Sequence, residues 1–268
     1  RKRTDMSDDP VLWNLDARGV ATVTLNRPQV NNAYNGAMIQ GIHTAMDTLG
    51  AEAGLRVVVL KGNGKHFQAG ADLTWINGAR AVTPEDNLVV PRATATAVDR
   101  LNRLPVPVVA LVQGGCFGGG TGIVSACDVV IAADNALFSI TEVRWGLHAS
   151  IIFPQLNDAI GVRQVRRYAL TGERFGAEEA RRIGLVHEVV PLADLAARGE
   201  KIVAALLENA PGALAKTKQH ILEHAWGGFD APTLDALIQS HSDQRQTAEA
   251  AEGLASFAEK RSARWTPK

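Results

Sequence analysis

Three stretches of the 268-residue chain carry residue types that could do chemistry. In Phe138-Ser139-Ile140-Thr141-Glu142-Val143-Arg144-Trp145-Gly146-Leu147, Glu142 sits among mostly apolar neighbours. Apolar surroundings raise a carboxyl pKa, which fits the group to exchange protons near neutrality. The same side chain could instead pair with Arg144 or face solvent. The second stretch, Gln113-Gly114-Gly115-Cys116-Phe117-Gly118-Gly119-Gly120-Thr121-Gly122, withholds side-chain bulk where a strand hands over to a helix. Amides at a helix start are donors without intrahelical partners, backed by the positive end of the dipole. They suit an oxyanion or a phosphate equally. No Gly-Lys-Ser/Thr follows, so this is no Walker A loop, and it is no clean dinucleotide fingerprint. Tight helix–sheet packing is the plainer use of such glycines. The third stretch is Phe67-Gln68-Ala69-Gly70-Ala71-Asp72-Leu73. Its small residues let backbone approach a ligand and leave the Ala71 N–H able to point into a pocket. A surface loop with Asp72 capping a helix fits it too.

These stretches must be held by regular elements. Rough alternation over Val20–Leu25 predicts a strand, closed by Asn26-Arg27-Pro28. Asn35 is placed to cap a helix whose apolar positions are Met38, Ile39, Ile42, Ala45, Met46 and Leu49, with Gly50 as its stop. Val57-Val58-Val59-Leu60 and Val108-Val109-Ala110-Leu111-Val112 are buried strands by their β-branched runs. A helix is expected from Thr83-Pro84-Glu85 to a point before Pro105, and another from the glycine-rich turn through Ser125. Strands are expected over Asp128–Ala133 and within Leu185–Val190, and from Pro191 to about Lys260 the chain reads as helical. Alternating strands and helices point to an α/β fold with mostly parallel pairing. The expected division is a disordered or vector-derived segment 1–10, a catalytic core 11–195, and a helical segment 196–268. That last segment could pack on its own core or on a neighbouring subunit.

Lys+Arg and Asp+Glu both number 28, so no general pull toward nucleic acid or anionic membrane exists. No window offers the ~18 uninterrupted apolar residues of a membrane span. The start Arg1-Lys2-Arg3 runs into Ser7-Asp8-Asp9-Pro10 rather than an apolar stretch, so it is not read as a signal peptide. Cys116 and Cys127 lack metal-ligand spacing and read as small buried hydrophobes in a reducing, cytoplasmic setting. No metal is expected.

Taken together, the Ala-Gly-Ala-Asp loop, the Gly118-Gly119-Gly120 turn, Ala126-Cys127-Asp128, Glu142 and Gly146 resemble the enoyl-CoA hydratase/isomerase (crotonase) superfamily. Tyr168-Ala169-Leu170-Thr171-Gly172 and Gly184-Leu185-Val186 add to the resemblance, which runs from about Val20 to Trp265. Within that superfamily the chain most resembles the methylglutaconyl-CoA hydratase-like branch, through Asn31-Asn32-Ala33, Phe117 to Gly120, Ser139 to Gly146, and the tail Glu252-Gly253-Leu254 with Glu259-Lys260-Arg261.

The resemblance implies a crotonase (ClpP-like) spiral of ββα units with a C-terminal helical segment, assembled as homotrimers or homohexamers. It implies an acyl-CoA substrate and no separate cofactor, since coenzyme A is part of the substrate. The Ala71 and Gly119 amides would form an oxyanion hole, with Glu142 catalytic. Arg27, Gln29, Val30, Ala69, Ala71, Asp72, Leu73 and Lys260 would contact CoA. Trp75, Phe117, Trp145 and His148 would line the acyl pocket. The branch further implies leucine degradation.

Two positions depart from the family pattern. Many hydratases carry a second glutamate where Gly122 stands, and Ala149 replaces a usual proline. Hydration by Glu142 alone is expected, with Δ3,Δ2-enoyl-CoA isomerisation as the alternative. An aspartate nucleophile of the dehalogenase type is excluded by Ala149. A third reading is a non-catalytic CoA- or RNA-binding scaffold, for which Arg163, Arg166, Arg167, Arg181 and Arg182 are the best patch. Balanced charge and only 5% aromatic residues argue against a dedicated nucleic-acid surface.

Overall fold

The computed structural model describes residues 8–78, 83, 88–225, 232 and 247–267. Among the described residues, nine strands form two sheets. The larger contains β1 (Val11–Leu15), β2 (Val20–Leu25), β3 (Val57–Gly62), β4 (Val108–Val112), β6 (Val129–Ala133) and β9 (Glu188–Val190), in the order β1-β2-β3-β4-β6-β9. The smaller is β5 (Gly115–Phe117), β7 (Leu137–Ser139) and β8 (Phe175–Gly176). Pairing is parallel except where β1 meets β2 and β7 meets β8.

The β-branched runs are buried because both faces of the large sheet are covered. Alternate side chains of one strand enter different cores, as the period of two requires. Val108, Ala110 and Val112 join one cluster with Val58, Leu60 and Val130. Val109 and Leu111 join the other with Val57, Ile131 and Ala133. The first face is covered by α1 (Gly36–Gly50) and α3 (Val89–Asn102), which pack on each other. Asn35 caps α1 as expected, its Oδ1 accepting the Met38 N–H at 3.0 Å. The second face is covered by α7 (Leu195–Leu207) through Leu195, Val203 and Leu207. This first helix of the C-terminal segment therefore packs on its own core.

The short α2 (Leu73–Gly78) and α4 (Gly119–Ser125) follow the two small-residue loops, and α5 (Phe153–Thr171) and α6 (Ala177–Ile183) flank the small sheet. The last described helices are α8 (Pro211–His224) and α9 (Ala248–Ala258). Most of the stretch between them, and residues 84–87 of the helix expected from Thr83, lie outside the described residues. Of the segment 1–10, residues 1–7 also lie outside them, while the Pro10 carbonyl accepts the Asn26 N–H at 2.8 Å. The sequence reading differs from the structure at the glycine-rich turn. Strand β5 interrupts it, and α4 begins only at Gly119.

Candidate active site

Glu142 opens a 3-10 turn, Glu142–Trp145, that follows β7. The turn is anchored to the end of α5. The Gly172 carbonyl accepts both the Ser139 hydroxyl and the Arg144 Nε–H, each at 2.9 Å. Arg144 thus serves the backbone rather than pairing with Glu142. The carboxyl oxygen Oε2 of Glu142 is buried and has no hydrogen-bond partner. Burial raises the Glu142 pKa above the ordinary carboxylate value, and the nearby N–H groups of Glu142 and Thr141 offset this only in part.

The carboxyl lies against the glycine turn. Gly118 has φ +51°, and a Cβ there would stand 3.0 Å from Glu142 Oε1 and 3.4 Å from Thr141 Oγ1. The backbone conformation requires glycine at this point, and a Cβ would also crowd the carboxyl. The next residue, Gly119, is the first of α4, and its N–H donates to no described group. Its α-carbon is packed by the Tyr34 ring, since a Cβ there would come within 2.7 Å of Cε1. Tyr34 is in turn bridged to the Ala71 loop. Its N–H donates to the Gly70 carbonyl at 2.9 Å, and its own carbonyl accepts the Asp72 N–H at 2.8 Å. That pattern skips the Ala71 N–H, which likewise donates to no described group. Buried Gln68 ties the two loops together. Its Oε1 accepts the Gly70 N–H at 3.0 Å, and its carbonyl accepts the Phe117 N–H at 2.9 Å. Ala71, Gly119 and Glu142 are therefore brought together around Tyr34.

The Arg27 turn adjoins this loop. Arg27 donates to the Ala33 carbonyl and to Asp72 Oδ2, the latter at 3.2 Å. Asp72 also caps α2, accepting the Thr74 N–H at 3.2 Å, so it fulfils the capping reading as well. Fully buried Asn32 fixes the turn from beneath, donating to the carbonyls of Asn63 and His66 at 2.9 and 2.8 Å. Gln29, Val30 and Leu73 are left exposed, and Ala69 is half-buried with its N–H on the Asn31 carbonyl at 3.0 Å. The result is an open shelf beside the two unpaired amides.

The remaining candidates are scattered. Trp75 meets Tyr34 edge-on, with ring centroids 6.1 Å apart. Phe117 packs over Gly115 and beneath the Arg174 guanidinium, 5.3 Å from its ring centre. Trp145 and His148 lie exposed on the loop after Glu142. Lys260 is exposed beyond α9, in a tail held at the opposite end of the sheet. Arg56, just before β3, donates to the Trp265 carbonyl at 3.2 Å, whereas the Arg27 turn follows the far end of β2. The six residues of β3 separate those ends by roughly 17 Å, and the structure does not bring Lys260 to Glu142 of its own chain.

Sequence reasoning missed Tyr34, Gln68 and Ile152. Ile152 occupies the space beside Gly122, where a Cβ would meet Ile152 Cγ2 at 2.3 Å. No spacing rule could pair residues thirty positions apart, although an aromatic beside the Asn-Asn-Ala turn was a visible signal for Tyr34. Among the described residues, one group has metal-ligand potential: His220, Glu223 and His224 on α8, none of them part of the arrangement around Glu142.

Two unpaired N–H groups, one at a helix start, can stabilise an oxyanion, and a desolvated carboxyl beside them can move a proton. That is the equipment for making and quenching a thioester enolate. The comparisons agree with it. The family model described as enoyl-CoA hydratase/isomerase matches residues 16–268. A hydroxycinnamoyl-CoA hydratase-lyase of Pseudomonas fluorescens is 34% identical over 203 residues, covering 75% of this chain and 74% of that protein. A mevalonyl-coenzyme A hydratase of Aspergillus fumigatus is 32% identical over 259 residues, covering 92% of each. The crystal structure of an enoyl-CoA hydratase from Shewanella pealeana superposes with a TM-score of 0.91 at 34% identity, over 96% of each chain. The chain belongs to the enoyl-CoA hydratase/isomerase family, within the crotonase superfamily of enzymes acting on acyl-CoA thioesters.

Proposed function

We propose that this enzyme adds water to the 2,3 double bond of a branched or carboxylated enoyl-CoA such as 3-methylglutaconyl-CoA. The thioester carbonyl takes the Ala71 and Gly119 N–H groups, with CoA along Arg27, Gln29, Val30, Ala69, Asp72 and Leu73. Trp75, Phe117, Trp145 and His148 are proposed for the acyl side. Glu142 accepts a proton from water as the water oxygen bonds to C3. The double-bond electrons move toward the carbonyl oxygen, and the enolate then takes a proton at C2 from the Glu142 carboxylic acid. The observation that carries this reading is the buried, unpartnered Oε2 of Glu142 beside two amides without acceptors. Relatives named as hydratases of substituted acyl-CoAs support the substituted acyl group.

Δ3,Δ2-isomerisation is the second reading, favoured by Ile152 filling the space a carboxylate at position 122 would need. There Glu142 takes a proton from C2 and returns it at C4. The RNA-scaffold reading loses support because Arg167, Arg181 and Arg182 are paired with Glu173, Glu178 and Glu179. Assembly as a homotrimer or homohexamer rests on the family resemblance, as does placement in leucine degradation. A CoA contact by Lys260 would have to come from another copy of the chain.

The test is mass spectrometry of 3-methylglutaconyl-CoA, crotonyl-CoA and a 3-enoyl-CoA after incubation with the protein and with Glu142→Gln. A gain of one water that the variant loses is expected. A bond shift without mass change would establish the isomerase instead, and no reaction at all would remove Glu142 from the catalytic role.

A further inference from the structure

Hydration by one carboxylate leaves the attacking water short of a second anchor. A lone Glu142 fixes one O–H of the water, and rotation about that bond would swing the lone pair away from C3. The backbone position that could carry a second carboxylate is closed, since Ile152 already packs against Gly122. A different group must hold the water, and its chemistry is constrained. It needs an oxygen within the space bounded by Ala71, Gly119 and Glu142, and that oxygen must not be engaged elsewhere.

The hydroxyls near the turn divide clearly by their partners. Thr121 Oγ1 donates to the Gly118 carbonyl at 2.7 Å, and Ser139 Oγ donates to the Gly172 carbonyl at 2.9 Å. Tyr34 differs. Its backbone is bridged beside Ala71, its ring packs on Gly119, and its phenol oxygen bonds to no described residue and is not sealed from solvent. Trp75 also packs edge-on against the ring. The phenol also feels the Glu142 charge. Burial and then that charge push its pKa up to about 12, so it stays a neutral hydroxyl over any working pH.

We propose that the Tyr34 hydroxyl is a second catalytic group of the hydration reaction, its oxygen accepting the O–H of the attacking water that Glu142 does not take. Tyr34 neither gains nor loses a proton in the cycle. Glu142 takes one proton from the water, the water oxygen bonds to C3, and the proton on Glu142 passes to C2. The remaining water hydrogen stays on the product hydroxyl, leaving Tyr34 as it began. This rests on the hydratase reading above, and it separates the two reactions of the family. A bond shift needs no water, so it does not call on this hydrogen bond.

The experiment is Tyr34→Phe, which removes one oxygen and keeps the ring on Gly119. Hydration of the best 2-enoyl-CoA and conversion of a 3-enoyl-CoA to its 2-enoyl isomer are measured with the whole chain, beside its thermal midpoint. The expected result is a fall in hydration kcat of about tenfold to a hundredfold, the size of one lost hydrogen bond to a reacting group. KM should stay close to the parent value, and the ratio of hydration to bond shift should fall about as far as kcat does. Thr141→Val, which removes the other hydroxyl near the turn that bonds to no described residue, is expected to alter that ratio far less. Equal loss of both reactions, or an unaltered ratio, would overturn the proposal while hydration by the parent chain still stood. If the parent chain adds no water to any 2-enoyl-CoA, the hydratase reading fails and this proposal fails with it.

Discussion

The proposed catalytic role of Glu142 would come at a cost to folding. Its pKa is raised by burial, so ionisation destabilises the folded chain at neutral pH, and the penalty is relieved as pH falls through the raised value. Glu142→Gln keeps the shape and removes the charge. It is expected to melt higher than the parent at pH 7, and the two curves should converge below the ordinary carboxylate pKa of about 4.3. Rate should move the other way. With Glu142 as base, kcat/KM of the parent falls as pH drops through its raised pKa, and the variant loses ~10²–10⁴ in kcat. A melting scan and a pH–rate profile on the same preparations check both. Gly122 makes the complementary case. Gly122→Glu does not install a second carboxylate, because its Cβ alone would overlap Ile152. The expected outcome is a destabilisation of ~3 kcal/mol or more, from overpacking and an unpaired buried acid. Adding Ile152→Ala should recover part of it, which chemical denaturation would measure.

The site is assembled by elements that define themselves only through their partners. The Glu142 turn is tied to the end of α5 through one carbonyl, that of Gly172, which accepts from both Ser139 and Arg144. Arg144→Met removes one of those donors and leaves the carboxyl itself untouched. We expect a modest loss of ~1–2 kcal/mol, lowering the melting temperature by ~2–4 °C. A several-fold fall in kcat should accompany it as the turn loosens, and kinetics beside a thermal scan would read both. The sequence made some of this legible. β2, β3, β4 and β6 and the Asn35 cap of α1 follow from periodicity and local chemistry. β5, β7 and β8 do not, because strands of two or three residues carry no periodic signal and exist through pairing with distant segments. β1 escaped for a related reason, since only Val11 of its five residues is buried. At the site, Ala71, Gly119 and Glu142 were reachable through a family pattern. Tyr34 and Ile152 were not, because their roles arise from contacts across loops.

At the scale of the whole molecule, the large sheet separates two jobs. The strand ends near Gly62 and Leu25 lead to the Arg27 turn and the site, while the opposite end holds the C-terminal tail. Arg56 is the latch there. Its guanidinium donates to the carbonyls of Leu207 and Asn209, at 3.1 and 3.0 Å, as well as to that of Trp265. The Trp265 indole N–H returns a bond to the Glu208 carbonyl at 2.7 Å, and Arg261 closes on Glu252 within the tail. Three carbonyls drawn to one half-buried cation lose their shared donor together if it is replaced. Arg56→Met is therefore expected to cost ~2–4 kcal/mol and to free the tail before the core unfolds. Hydrogen exchange should then show residues 247–267 exchanging faster while β3 and β4 remain protected. The consequence for catalysis depends on where Lys260 works. If the site is complete within one chain, KM of the variant stays at the parent value, because the tail lies a sheet-length from Glu142. A raised KM, matched by Lys260→Ala in an otherwise parental chain, would mean that the tail reaches the substrate of a second copy.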